Sequence, residues 1–387
     1  MRFAALTGFV LMVAVITMNA QKAVEKNFKS LFESELQHAG VVGASFSLIR
    51  ENRVAADYQY GFANLAKKQE VDENTIYHWA SNTKPLTGIA IMQLRDRGLL
   101  KLDDAVTKYL PELRSIHNKY GSMDEITIRH LMTHSAGFRA STWPWDKGES
   151  WEPFEPTEYS QLEAMFPFTE ILFKPGSRFS YSNLGIIFLG RIIEKLTGED
   201  YEVYIDKNIF KPLEMHRSYF DTTPPHLVKH RSHSYYAKDG KRTEGRFDVN
   251  TGITVSNSGL NSPMPDMVRY VNFLVGDESK SSIHDTVLKR SSLDEMWKPQ
   301  LKAETDANGN RGFTTDIGLI FFMDRTMGKT HLGHGGDQNG FISYIDFDPA
   351  KRTASILVMN TNVSYPANTP ASNEVVGRLR TAIRKLF

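Results

Sequence analysis

Cysteine is absent from all 387 residues. That absence excludes a disulfide framework, a thiolate metal site and a cysteine-linked lipid anchor. An excess of one charge is missing as well, since 46 Lys+Arg stand against 45 Asp+Glu for a net of +1. No electrostatic case follows for nucleic acid or for an anionic membrane surface as partner. Two nucleophile or phosphate signatures are also lacking. Gly-x-Ser-x-Gly occurs nowhere, which removes the α/β-hydrolase elbow, and Gly328-Lys-Thr330 has Met323 where a phosphate loop needs its first glycine. Long apolar runs are confined to the amino terminus, and internal repeats and low-complexity tracts are not evident.

That terminal run, Phe3 to Met18, is broken only by Thr7, Gly8 and Thr17, follows the single charge of Arg2, and gives way to Asn19, Gln21 and Lys22. It is shorter than the ~20 residues of a spanning helix. Residues 1–20 therefore read as a signal peptide with cleavage after Ala20, and the expectation is a periplasmic or secreted protein with no stable membrane anchor once the leader is gone. A membrane anchor is the rival reading. With 41% hydrophobic residues the remainder can bury a large core.

The spacing of Val24, Phe28, Leu31, Phe32 and Leu36 predicts a helix over 23–37. Val42–Ile49 and Val54–Tyr60 alternate and predict a hairpin around Arg50–Arg53. Near the other end, Asp316–Phe322, Thr330–Gly333, Phe341–Phe347 and Thr353–Met359 predict strands, followed by a helix from about Glu374 to Leu386. The middle is dominated by helical patterns. The fold class expected is α/β (α+β): an antiparallel sheet formed from both chain ends and flanked by helices, with an inserted mainly helical domain. The corresponding boundaries are 21–84 with 311–387 for the sheet and terminal helices, and 85–310 for the insert.

Three segments could carry chemistry. Ser81 has Lys84 three places on, and no other serine in the chain has a lysine at that spacing. Helical geometry puts i and i+3 on one face, so the amine could take the hydroxyl proton. Pro85 is tolerated only in a first turn, which places Ser81 at a helix start. A plain helix cap with a solvated lysine is the bland alternative. The second segment runs from Pro175-Gly to Tyr181-Ser-Asn183, a phenol and an amide ahead of an apolar helix from Leu184 to Leu196. A second Tyr-x-Asn, Tyr270 and Asn272, lies in a continuous helical stripe and is assigned to packing. The third is His334-Gly335-Gly336-Asp337, expected at the junction of two strands, where glycine permits close backbone approach and a following N–H could serve an oxyanion. A glycine-rich hairpin connection with a surface histidine is the bland alternative.

In order, Ser81-x-x-Lys84, Tyr181-Ser-Asn183 and His334-Gly-Gly336 resemble the three active-site motifs of class C β-lactamases and penicillin-binding-protein-like serine hydrolases. Flanking text resembles the family too, including Gly98-Leu-Leu-Lys-Leu-Asp-Asp104 and Ile126 to Phe138. The resemblance implies a serine β-lactamase/DD-peptidase-like fold with Ser81 as nucleophile and Lys84 and Tyr181 sharing proton transfer. Asn183 would orient substrate, His334, Gly335 and Gly336 would border it, and the amides of Ser81 and Asp337 would form the oxyanion hole. It implies no metal and no other cofactor. The expected partner is a small-molecule or peptide substrate; oligomeric state is left open.

One departure bears on substrate. Many relatives carry a threonine or serine between the outer residues of the third motif, where its hydroxyl binds a substrate carboxylate, and here Gly335 stands. A hydrogen bond to a charged group is worth ~1.5–3 kcal/mol. The reading is thus an exported serine hydrolase acting on an ester, amide or lactam, with esters somewhat favoured. A β-lactamase or D-alanyl-D-alanine carboxypeptidase is the alternative, and a non-catalytic cell-wall-peptide or β-lactam binding protein the alternative of another class. His226, His230 and His233 lack partners at metal-ligand spacing, and Asp306–Asn310 lacks the calcium-loop glycine and glutamate. Trp143, Trp145, Trp151 and Phe154 either rim the cleft or pack together.

Overall fold

A computed structural model describes residues 27–142, 156–238, 240–247, 251–303, 314–325, 330–363 and 370–387. The leader, the Trp143–Phe154 segment and Asp306–Asn310 lie outside the described residues. Among those described, no helix is long and apolar enough to cross a membrane.

The main sheet has nine strands, numbered here in chain order: β1 (Gly43–Arg50), β2 (Arg53–Asn64), β3 (Gln69–Glu70), β4 (Leu301–Lys302), β5 (Asp316–Ile317), β6 (Phe322–Asp324), β7 (His331–Gln338), β8 (Phe341–Asp348) and β9 (Thr353–Met359). Their spatial order is β3-β2-β1-β9-β8-β7-β6-β5-β4, antiparallel throughout. The two chain ends meet at β1 and β9, in register from Ala44 opposite Met359 to Arg50 opposite Thr353. This is the expected fold class.

Two expected details change. Asp316–Phe322 is not one strand: Gly318 follows β5, Ile320 adopts φ 73°, and the chain turns back into β6. The third motif lies inside β7 and not at a strand junction, because the reversal falls later, at Asn339 (φ 50°) and Gly340 (φ 81°). Two successive positive φ values make the two-residue hairpin turn that suits right-twisted strands.

Six helices matter for the site: α1 (27–39), α2 (Lys84–Asp96), α3 (Asn183–Thr197), α4 (Val255–Ser258), α5 (Met264–Val275) and α6 (Pro370–Arg384). On one sheet face α1 and α6 enclose Phe28, Phe32, Leu36, Phe46, Leu357 and Leu379. On the other, Ile345, Phe347, Ile356 and Val358 join Leu86, Ile89, Leu184, Phe188 and Met267 in one apolar cluster. Tyr270 of α5 belongs to that core, 1% exposed.

Candidate active site

A short 3-10 turn, Ala80–Thr83, precedes α2, and Pro85 occupies its first turn. Ala80 is held at φ +48°, a left-handed conformation that strains a residue with a Cβ. Every residue of α2 from Lys84 to Leu94 is buried, so the turn carrying Ser81 is fixed against the core. Lys84 is 0% exposed. Its Nζ donates to Ser81 Oγ at 2.8 Å and to the backbone carbonyl of Asn257 in α4 at 3.0 Å. Among the described residues no carboxylate balances it, and burial holds the amine well below the usual lysine range. The shift is toward the neutral amine.

Tyr181 reaches the same point from the segment ahead of α3. Its ring centroid is 5.0 Å from Lys84 Nζ, and it lines the same cleft as Ser81. Burial pushes the phenol up, so it keeps its proton, while the contact with Ser81 acts weakly in the other direction. The ring is held between His134, at 4.5 Å between centroids, and Phe322, stacked at 6.2 Å. Ser182 caps α3 by accepting from Gly185 N–H at 3.1 Å, and its hydroxyl donates to Arg139 O at 2.7 Å. That cap fixes Asn183 at the first position of the helix, where its Oδ1 is buried with no donor among the described residues.

The third segment closes the opposite side. The turn at Asn339-Gly340 makes Gln338 and Phe341 a hydrogen-bonded pair, and the antiparallel alternation then turns the amides of Gly335 and Asp337 away from β8. On that outer side β6 pairs only from Gly333 back to His331. Both amides therefore lie on an open strand edge beside Ser81. A Cβ at Gly336 would sit 2.3 Å from Trp79 O and 3.1 Å from Ser81 N. Only glycine allows this approach. At Gly335, a Cβ would meet the Tyr344 ring at 2.8 Å, so an aromatic ring fills the room a hydroxyl-bearing side chain would need.

His334 is buried and neutral: burial, with Lys84 nearby, brings it down to about 3. Its Nδ1 donates to Gly335 O at 2.6 Å, which leaves Nε2 as a buried acceptor without a partner among the described residues. Together Ser81, Tyr181, Asn183, His334, Gly335, Gly336 and Asp337 line one cleft of about 400 Å³. The residues of the three motifs converge there, with Lys84 hydrogen-bonded to Ser81.

Sequence reasoning missed several neighbours. The carbonyl of Asn257 carries no side-chain signature. His134, at φ +50° and accepting from Ser182 N–H at 3.1 Å, fixes the Tyr181 segment; the stretch around it resembled the family, but its spacing named no role. Tyr344 became visible only through its register with Gly335. The histidine cluster stays apart: His233 pairs with Glu244, and among the described residues no group of three His, Cys, Asp or Glu could hold a metal ion.

The cleft thus sets a serine, a buried lysine and a tyrosine beside an open strand edge. The β-lactamase family model matches residues 28–376, and the chain belongs to that family of serine hydrolases. Protein flp of Staphylococcus aureus (strain COL) is 27% identical over 353 residues, 90% of this chain and 65% of the relative. The chain thus spans just under two thirds of the length of that curated relative. Among solved structures, the octameric penicillin-binding protein homologue from Pyrococcus abyssi superposes with a TM-score of 0.74 at 26% identity, covering 92% of this chain and 77% of that one. A class C β-lactamase gives 0.70 at 21% identity over 92% and 97%, a likeness that speaks for the fold alone.

Proposed function

We propose that this protein hydrolyses esters or small amides through an acyl enzyme on Ser81. The observation that carries the reading is the buried Lys84 amine, 2.8 Å from Ser81 Oγ and without a carboxylate partner among the described residues. As Ser81 Oγ attacks the substrate carbonyl, its proton passes to Lys84 Nζ. The amides of Ser81 and Asp337 receive the oxyanion, a term worth ~3 kcal/mol per donor in the transition state. Collapse expels the leaving group, which takes a proton through the Tyr181 hydroxyl; water then enters along the same path and releases the acid. Asn183 and His334 offer polar atoms for orienting substrate. The preference for esters over β-lactams rests on Gly335 and the neutral His334, which supply neither hydroxyl nor cation to a substrate carboxylate. Export is proposed from the leader at residues 1–20, to be checked by sequencing the amino terminus of the mature protein.

A fluorophosphonate should add mass at Ser81, and Ser81→Ala should lose labelling together with at least about 10³-fold in kcat. Full labelling of that variant would sink the assignment. Parallel assays with short-chain nitrophenyl esters, a chromogenic cephalosporin and a D-Ala-D-Ala peptide should show turnover of the esters first.

A further inference from the structure

The mechanism uses the amide of Asp337 and leaves its carboxyl without a task. Strand alternation turns that side chain to the Tyr344 side of β7, the side on which Gly335 presents nothing. Asn362 Nδ2 holds one oxygen at 2.6 Å, and among the described residues no cation pairs with the carboxylate. The other charges of the cleft lining are matched. Arg380 meets Asp346 at 3.2 Å and Arg384 meets Asp324, while burial holds Lys84, His331 and His334 toward their neutral forms. Among the described residues that line the cleft, Asp337 is the charge without a counter-charge. It is an anion, set one residue past the glycine that touches the Ser81 turn.

We infer that the Asp337 carboxylate selects substrates that carry a positive charge, an ammonium or quaternary ammonium, on the part lying along β7, and disfavours substrates with a carboxylate there. The inference rests on the serine-hydrolase reading and names its substrate class. Gly335 and Asp337 act in the same sense, the first by withholding a hydroxyl and the second by placing negative charge beside the vacated position. A single charge at roughly 6 Å, partly screened by solvent, changes kcat/KM by about tenfold.

The test uses nitrophenyl esters of trimethylammoniobutyrate, of its uncharged tert-butyl isostere, and of glutarate, at about pH 7.5 so that the carboxyl, pushed up to about 6 by the protein around it, is ionised. Wild type should favour the cationic ester over its isostere by about tenfold in kcat/KM and rank glutarate last. In Asp337→Asn the ratio of cationic to neutral ester should fall to about one, whatever the variant does to overall rate. Independently of any variant, raising the ionic strength to about 0.5 M should slow only the cationic ester. An unchanged ratio in Asp337→Asn, or a wild-type ratio near one with no salt effect, overturns the inference while leaving the hydrolase intact. Failure of all three esters together with no label on Ser81 overturns the hydrolase reading, and this inference with it.

Discussion

In the proposed mechanism, catalysis and folding pull against each other at Lys84. The amine has two acceptors, Ser81 Oγ and Asn257 O, but no counter-charge among the described residues, so burial weakens its hold on a proton. Its folded-state pKa lies below that of the unfolded chain, about 10.4. Between those two values the unfolded state binds more protons, so this group makes stability rise with pH and charges the folded state a penalty at neutral pH. The stability of wild type minus that of Lys84→Met should therefore climb by up to about 1.4 kcal/mol per pH unit between the two values and level off near pH 10.4. Parallel stability curves for the two proteins from denaturant titrations at several pH values would count against a neutral lysine. The activity carries the complementary signature. In kcat/KM an acid limb should appear below the ordinary lysine range, belonging to the Lys84 and Tyr181 pair jointly, and Lys84→Met should lower kcat by at least about 10³-fold.

Elements set the distances that make those residues useful. The 3-10 turn at Ala80–Thr83 leans on β7 so closely that Gly336 has no room for a methyl group, its Cβ position being 2.3 Å from Trp79 O and 2.7 Å from Ser343 Oγ. Backbone on one side and a strand held by β8 on the other leave little to yield. Gly336→Ala should destabilise by roughly 1–3 kcal/mol, the scale of overpacking, and lower kcat by about 10²-fold as β7 shifts from Ser81. Paired denaturant melts and ester kinetics check this, and a variant with wild-type kcat would mean that the strand moves without consequence for the oxyanion donors. How much of this was legible in the sequence depends on what kind of atom acts. Pro85 and the i, i+3 spacing place Ser81 and Lys84 at a helix start, and the alternation in 42–60 gives β1 and β2, because both rest on periodicity. The third motif's strand was harder, since His334-Gly-Gly336 has no apolar alternation to mark it, and its membership in β7 comes from pairing with β8. The Asn257 carbonyl and the Tyr344 ring come from distant segments brought close by tertiary packing, a relation no local pattern contains.

On the scale of the whole molecule, the site is assembled where both chain ends meet the helical middle. Ser81 and Lys84 enter from the amino-terminal half, Tyr181 and Asn183 from the start of α3, Asn257 from α4, and the open edge from β7 near the carboxyl end. The apolar cluster beneath them crosses the same seam, since Ile345, Phe347, Ile356 and Val358 of the sheet pack with Leu86, Ile89 and Phe188 of the helices. A core shared in this way ties the stability of the helical middle to the sheet. Excised residues 85–310 would expose the apolar surface that β8 and β9 cover, at a cost of roughly 1.5–3 kcal/mol for each large side chain uncovered, while whole domains are stable by only about 5–15 kcal/mol. That fragment should therefore lack a cooperative denaturant transition, whereas the full chain should unfold in one, followed by circular dichroism and by tryptophan fluorescence, with coincident curves from the two probes. A sharp, reversible transition in the fragment alone would show that the helical insert holds its own core, and that the catalytic seam joins two independently folded bodies.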